Sequence, residues 1–148
     1  MKDLPLLRGN DFMPEDKSFL IAQEWMAKGD NDLKNAAHTL KLGDKCPIDT
    51  VCFHAQQCVE KYLKAFLVII KKEFPRTHDI EMLISLMPKS IDFSLSVEEQ
   101  RKFTEYATVM RYPGPYEPIS LNEAKKAVKL ARQIKRTIHK LIENKGLF

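Results

Sequence analysis

The chain has 148 residues, 44% of them hydrophobic and 30% charged, with a net charge of +4, 5 glycines and 8 prolines. That balance is richer in apolar residues than a disordered chain, and the length fits one domain over residues 1–148 with its core at about 16–144. The longest apolar run, Ala65 to Ile70, is far short of the roughly 20 residues that span a bilayer, and Met1–Arg8 lacks a signal-peptide apolar core, so a soluble cytoplasmic protein without membrane contact is expected.

Five segments read as helices and none as a strand. The first runs from about Asp16 to Leu42, with Ile21, Trp25, Gly29, Leu33, Ala36 and Leu40 forming an apolar stripe at steps of three and four. Gly29 inside it costs about 1 kcal/mol against alanine, which points to close packing, and Gly43 supplies the stop. Pro47 is placed as a first-turn residue of the second helix, about Ile48 to Glu73. This is the most apolar segment, with Cys52, Ala55, Val59, Tyr62 or Leu63, Phe66 and Ile69 or Ile70 facing inward. A second face carries His54, Gln57, Lys61 and Lys64. Thr77-His-Asp79 starts a short helix through Met87, closed by Pro88.

Ser96-Val-Glu-Glu99 is a capping box for the fourth helix, whose stripe is Phe103, Tyr106, Ala107 and Met110, stopped at Arg111-Tyr-Pro113. The loop from Pro113 to Pro118 holds three prolines and is stiff. A second box, Ser120-Leu-Asn-Glu123, opens the last helix, which runs to about Asn144. Its apolar face is Leu121, Ala124, Val128, Ala131, Ile134, Ile138 and Leu141 or Ile142. Long helices with short connections predict an all-α, antiparallel up-and-down four-helix bundle with one short additional helix.

The charge is uneven. Leu121 to Lys145 holds eight basic and two acidic residues, a net of +6, so the preceding 120 residues are slightly acidic. Lys125, Lys129, Arg132, Arg136 and Lys140 line up opposite the apolar face. That stripe is either a solvated exterior or a docking face for a polyanion or acidic partner.

Cys46, Cys52 and Cys58 lie six apart. Six helical residues turn about 600°, so Cys52 and Cys58 diverge by about 120°, and buried thiols without a metal are expected. His54 and Cys58 share a face, but two ligands make no site. Phosphate-loop, zinc-protease and serine-hydrolase motifs are absent from the sequence. His38 and His139 read as surface residues on charged stretches. His54 and His78 are acid–base candidates or structural residues, and Asp79 is a candidate to orient His78. Arg111, at the junction of a helix and a rigid loop with Tyr112 and Tyr116 nearby, could clamp a phosphate, stack on a ring, or tie the loop to its own helix.

The stretch Phe53-His-Ala-Gln-Gln-Cys-Val-Glu-Lys-Tyr-Leu-Lys-Ala-Phe66, then Pro75-Arg-Thr-His-Asp-Ile80, then Arg111-Tyr-Pro113 before a long amphipathic helix, resembles the HEPN (higher eukaryotes and prokaryotes nucleotide-binding) domain from about Phe19 to Ile142. The resemblance implies a helical bundle, a homodimer, and no cofactor. Many such domains are metal-independent ribonucleases that pair an arginine with a histidine four to six residues later. Here Tyr116 stands where that histidine would be, which leaves catalysis open. The Arg-Tyr-Pro form resembles stand-alone members that accompany a minimal nucleotidyltransferase in toxin–antitoxin-like modules, some of them adenylylated on tyrosine. The resemblance therefore implies a nucleotide- or RNA-associated accessory protein, with Arg111, Tyr112, Tyr116, His54 and Lys61 as binding residues. A divergent ribonuclease using Arg111 with His54 or His78 is the alternative, and a structural dimerisation domain without ligand is another.

Overall fold

The computed structural model describes residues 17–109 and 113–146. Five α-helices, α1 (Ser18–Leu40), α2 (Ile48–Ile69), α3 (Ile80–Ser85), α4 (Val97–Val109) and α5 (Leu121–Asn144), and a 3-10 turn at Gly43–Lys45 make up the regular structure, with no strand among the described residues. Asp16, Met110, Arg111 and Tyr112 lie outside the described residues, as does Met1–Arg8. No helix among the described residues is long and apolar enough to cross a membrane.

The bundle forms around α2, which touches each of the other α-helices. Its length from Val51 to Ile69 is buried almost all round, because its predicted inward face is joined by Cys58, Ala65, Leu67 and Val68. Tyr62 on α2 meets Asp30 on α1, and Lys64 lies over Trp25, so these two helices run antiparallel. Tyr106 and Lys126 on opposite members reach Glu123 and Glu99, giving the same relation for α4 and α5. Tyr62 also meets His139, which sets α5 against α2. The result is the expected up-and-down helical bundle.

Local chemistry explains the boundaries, several of which differ from the sequence reading. The first helix ends at Leu40 rather than Leu42, and Gly43 follows with φ of +62°, the left-handed conformation that glycine adopts without a Cβ clash. Pro47 is the N-cap of α2 rather than a residue of its first turn. Its other end comes at Ile69, not Glu73. There Lys71 takes φ of +58°, and the amides of Lys71 and Lys72 donate to the carbonyls of Val68 and Leu67, a Schellman stop built without glycine. Asp79 starts the short helix by accepting from the Met82 amide at 3.1 Å, and the helix ends at Ser85 rather than Met87, because the Leu86 and Met87 amides turn to the carbonyls three residues back, Leu83 and Ile84.

Both serine caps form: Ser96 and Glu99 bond reciprocally, and Ser120 accepts from the Glu123 amide. The Glu123 carboxylate instead accepts from the Tyr106 hydroxyl.

The buried face of α1 is turned slightly from its predicted stripe. Ala22, Met26, Gly29, Leu33 and Ala36 are buried, whereas Ile21 and Trp25 are half-buried at the margin. Gly29 permits close packing as expected, since a Cβ there would stand 3.0 Å from Cδ2 of the Tyr62 ring. That ring is held at its hydroxyl by Asp30 and His139, so it has little room to retreat. Gly29→Ala is therefore expected to lower stability by about 1 kcal/mol net in urea denaturation, crowding outweighing the helix-propensity gain. A stabilised variant would mean that the ring is free to move.

Candidate functional site

Alpha-helical periodicity at 100° per residue places Gln56, Glu60, Lys64, Gln57, Lys61 and His54 within an arc of roughly 160° on α2. Polar groups on so apolar a helix are tolerable only when their hydrogen bonds are made, and here they are. His54 donates from Nδ1 to Oδ1 of Asp32 at 2.9 Å, and Lys61 donates to the other oxygen of the same carboxylate. Asp32 comes from α1 and is buried. An ionised carboxylate only accepts, so this contact puts the His54 proton on Nδ1 and leaves Nε2 as the ring's remaining polar atom.

The same arrangement occurs a second time on the arc. Glu60, 3% exposed, accepts from Nδ1 of His78 at 2.8 Å, from Nζ of Lys64 at 2.9 Å and from Nε2 of Gln56 at 3.0 Å. Gln56 also donates to the His78 carbonyl, and Gln57 donates to Gln56, which extends this second group along the arc. Lys64 is itself buried and sits 5.5 Å and 5.8 Å from the ring centres of Trp25 and Phe74. His78 is thus oriented by Glu60 across the fold, not by its neighbour Asp79, which is engaged as the cap of α3. Both rings stay partly exposed, His54 at 26% and His78 at 43%. A carboxylate-held, partly exposed imidazole has Nε2 left to take up or deliver a proton, or to donate to a phosphate once protonated.

The remaining predicted residues fall elsewhere or are not described. Arg111 and Tyr112 lie outside the described residues. Tyr116 is exposed in the loop before α5, its amide bonded to the Gly114 carbonyl and its ring 3.2 Å from where a Gly114 Cβ would stand. Lys125, Lys129, Arg132, Arg136 and Lys140 are all exposed along the outer face of α5. His38 is exposed as expected, but His139 is half-buried, tilted against the Tyr62 ring with centroids 5.7 Å apart. All three cysteines are buried free thiols, and burial pushes Cys52 and Cys58 up to about 12, so neither is a nucleophile near neutral pH. No group of three metal-ligating side chains occurs among the described residues. An open groove of about 160 Å³ between α4 and α5, floored by Phe103, Ala127 and Leu130, contains none of the predicted site residues.

Asp32 and Glu60 escaped the sequence reading, although both leave a trace in it. Asp32 interrupts the buried face of α1 between Gly29 and Ala36, and Glu60 sits four residues before Lys64 between Val59 and Leu63. An acid at an apolar-face position is the signal, because burying a carboxylate demands partners.

Residues 22–141 match the HEPN domain family. Among solved structures, the crystal structure of TT1696 from Thermus thermophilus is similar, with a TM-score of 0.65 and 27% identity, covering 80% of this chain and 96% of that one. No curated protein matches the chain.

Removing the Glu60 carboxylate strands a buried ammonium. Glu60→Ala is expected to cost about 3–5 kcal/mol in chemical denaturation, and adding Lys64→Met should recover much of that loss. Equal losses in the single and double variants would contradict a buried ion pair. A separate expectation concerns alkali. Burial, together with hydrogen bonds to Asp30 and Glu123, raises Tyr62 and Tyr106 well above the usual phenol range. Below pH about 10 their stabilisation is complete, and above it the unfolded chain ionises first, so stability falls as pH rises. The Tyr62→Phe/Tyr106→Phe variant should have a shallower alkaline slope than wild type above pH about 10, as read from melting temperatures across pH 9–11, and should retain the part due to the raised thiols of Cys52 and Cys58.

Proposed function

Because the chain belongs to the HEPN domain family, we propose that it is a nucleotide- or RNA-associated accessory protein. The observation that supports this best is the doubled arrangement on α2, two imidazoles each held through Nδ1 by a buried carboxylate, with Lys61 beside the first. Lys61 offsets the charge of Asp32, so protonation of His54 makes that end of the arc cationic and able to hold a phosphate oxygen. Arg111 would add a guanidinium for bidentate phosphate contact. The reading further assigns the protein a homodimeric state, a cytoplasmic location and a minimal nucleotidyltransferase as partner in a toxin–antitoxin-like module. Tyr116, exposed on its loop, and Tyr112 are the tyrosines such a partner would modify.

The carboxylate–imidazole pairs also favour a second reading, metal-independent RNA cleavage. The Nε2 of His54 or His78 would remove the proton of a ribose 2′-hydroxyl, the freed oxygen would attack the adjacent phosphorus with Arg111 offsetting the charge on the phosphorane, and the 5′-oxygen would leave taking a proton from the imidazolium so formed or from water. The products are a 2′,3′-cyclic phosphate and a 5′-hydroxyl.

Both readings are tested by incubating wild type, His54→Gln, His78→Gln and Arg111→Ala with labelled mixed-sequence RNA in EDTA, scoring binding and cleavage together. The accessory reading expects binding without cleavage, weakened about tenfold or more in His54→Gln and Arg111→Ala, the value of one charge-assisted hydrogen bond. Cleavage that disappears in Arg111→Ala and in a histidine variant would replace it with the ribonuclease. RNA binding equal in all four proteins would remove α2 and Arg111 from the site.

A further inference from the structure

The outer face of α5 carries a charge pattern that the α2 arc does not use. Lys125, Lys129, Arg132, Arg136 and Lys140 fall within about 80° of one another around the helix and extend for about 22 Å along it. All five are exposed. Their neighbours Lys126 and Lys135 are engaged by Glu99 and Asp30, whereas the five have no acidic partner among the described residues. Of the two acids on α5, Glu123 faces α4 and Glu143 reaches this face only at its C-terminal end.

We propose that this face is a docking surface for a nucleic-acid duplex, gripping the phosphodiester backbone without regard to base sequence or sugar. Three features of the row single out this occupant. Over 22 Å a duplex presents about thirteen phosphates, a linear charge density that five aligned cations complement and a single small anion does not. The row contains no aromatic side chain for unstacked bases, which disfavours single strands. Lysine and arginine heads alone contact phosphates and leave the 2′-hydroxyl unread, so DNA and RNA duplexes are bound alike. Insertion into a lipid surface is closed to α5, because its apolar face, Ala124, Val128, Ala131, Ile134 and Ile138, is buried in the core. This surface goes beyond the reading given above and stands or falls independently of it.

The test is fluorescence anisotropy with a mixed-sequence DNA duplex of about 20 base pairs over about 50–200 mM salt. Five phosphate contacts predict that log K falls with log salt at a slope of about −4.5, a loss of about 500-fold across that range. The Lys129→Gln/Arg132→Gln/Arg136→Gln variant, changed only at exposed positions and checked for helicity by circular dichroism, should retain a slope of about −1.8 and lose about tenfold. An RNA duplex should behave as the DNA does. Failure to bind the duplex at low salt, an unchanged slope in the triple variant, or displacement by polyglutamate as effective as by DNA would each overturn the proposal. Loss of binding in His54→Gln but not in the triple variant would also overturn it, while leaving the α2 site standing.

Discussion

The ion pair of Glu60 and Lys64 lies inside the most apolar helix of the protein, and much of the architecture follows from keeping it satisfied. A buried pair gains stability only when its remaining donors and acceptors are also met. Glu60 meets its own with Gln56 and His78, which anchors the segment between α2 and α3 to the middle of the bundle. Lys64 finds the faces of Trp25 and Phe74, which draws the start of α1 and that same segment over its ammonium group. One pair of charges thus sets the relation of α1, α2 and the chain entering α3. Hydrophobic burial supplies the cohesion, but it is the polar arc that fixes register.

The same constraint prepares the chemistry. A histidine on a flexible surface samples both tautomers and many orientations, whereas His54 and His78 are each committed through Nδ1 to a buried carboxylate that is also held by a lysine. Preorganisation of this kind lowers the entropy cost of engaging a phosphate or transferring a proton. The two sites are not equivalent. Asp32 divides its charge between an imidazole and Lys61, while Glu60 also serves a buried ammonium and a side-chain amide. The face of α5 contributes in another way, as a field of unpaired positive charge outside the bundle rather than a shaped site.

Periodicity made the helices readable because each long segment has a buried face, and the capping boxes at Ser96 and Ser120 marked two starts to the residue. The family was readable from motif order. Less visible were features that depend on contacts across the fold. The end of α2 uses Lys71 in a left-handed conformation, a position where glycine would have announced the turn. Sequence shows adjacency, which makes Asp79 the candidate to orient His78, yet the partner is Glu60, eighteen residues earlier. His139 reads as a surface residue on a charged helix, yet it packs against Tyr62 of α2. Asp32 and Glu60 were hidden for the same reason: a buried acid is recognised by its partners, and those come from other helices.

The central claim, that two buried carboxylates hold two imidazoles in defined tautomers, is tested most directly by nitrogen-15 NMR of the histidine rings. With His54 and His78 assigned by substitution and recorded as neutral rings, the account predicts protonated Nδ1 and unprotonated Nε2 in both. It further predicts that Asp32→Asn changes only the His54 signature. Neutral rings protonated on Nε2, or signals averaged between tautomers, would contradict the claim and remove the preorganised site from α2.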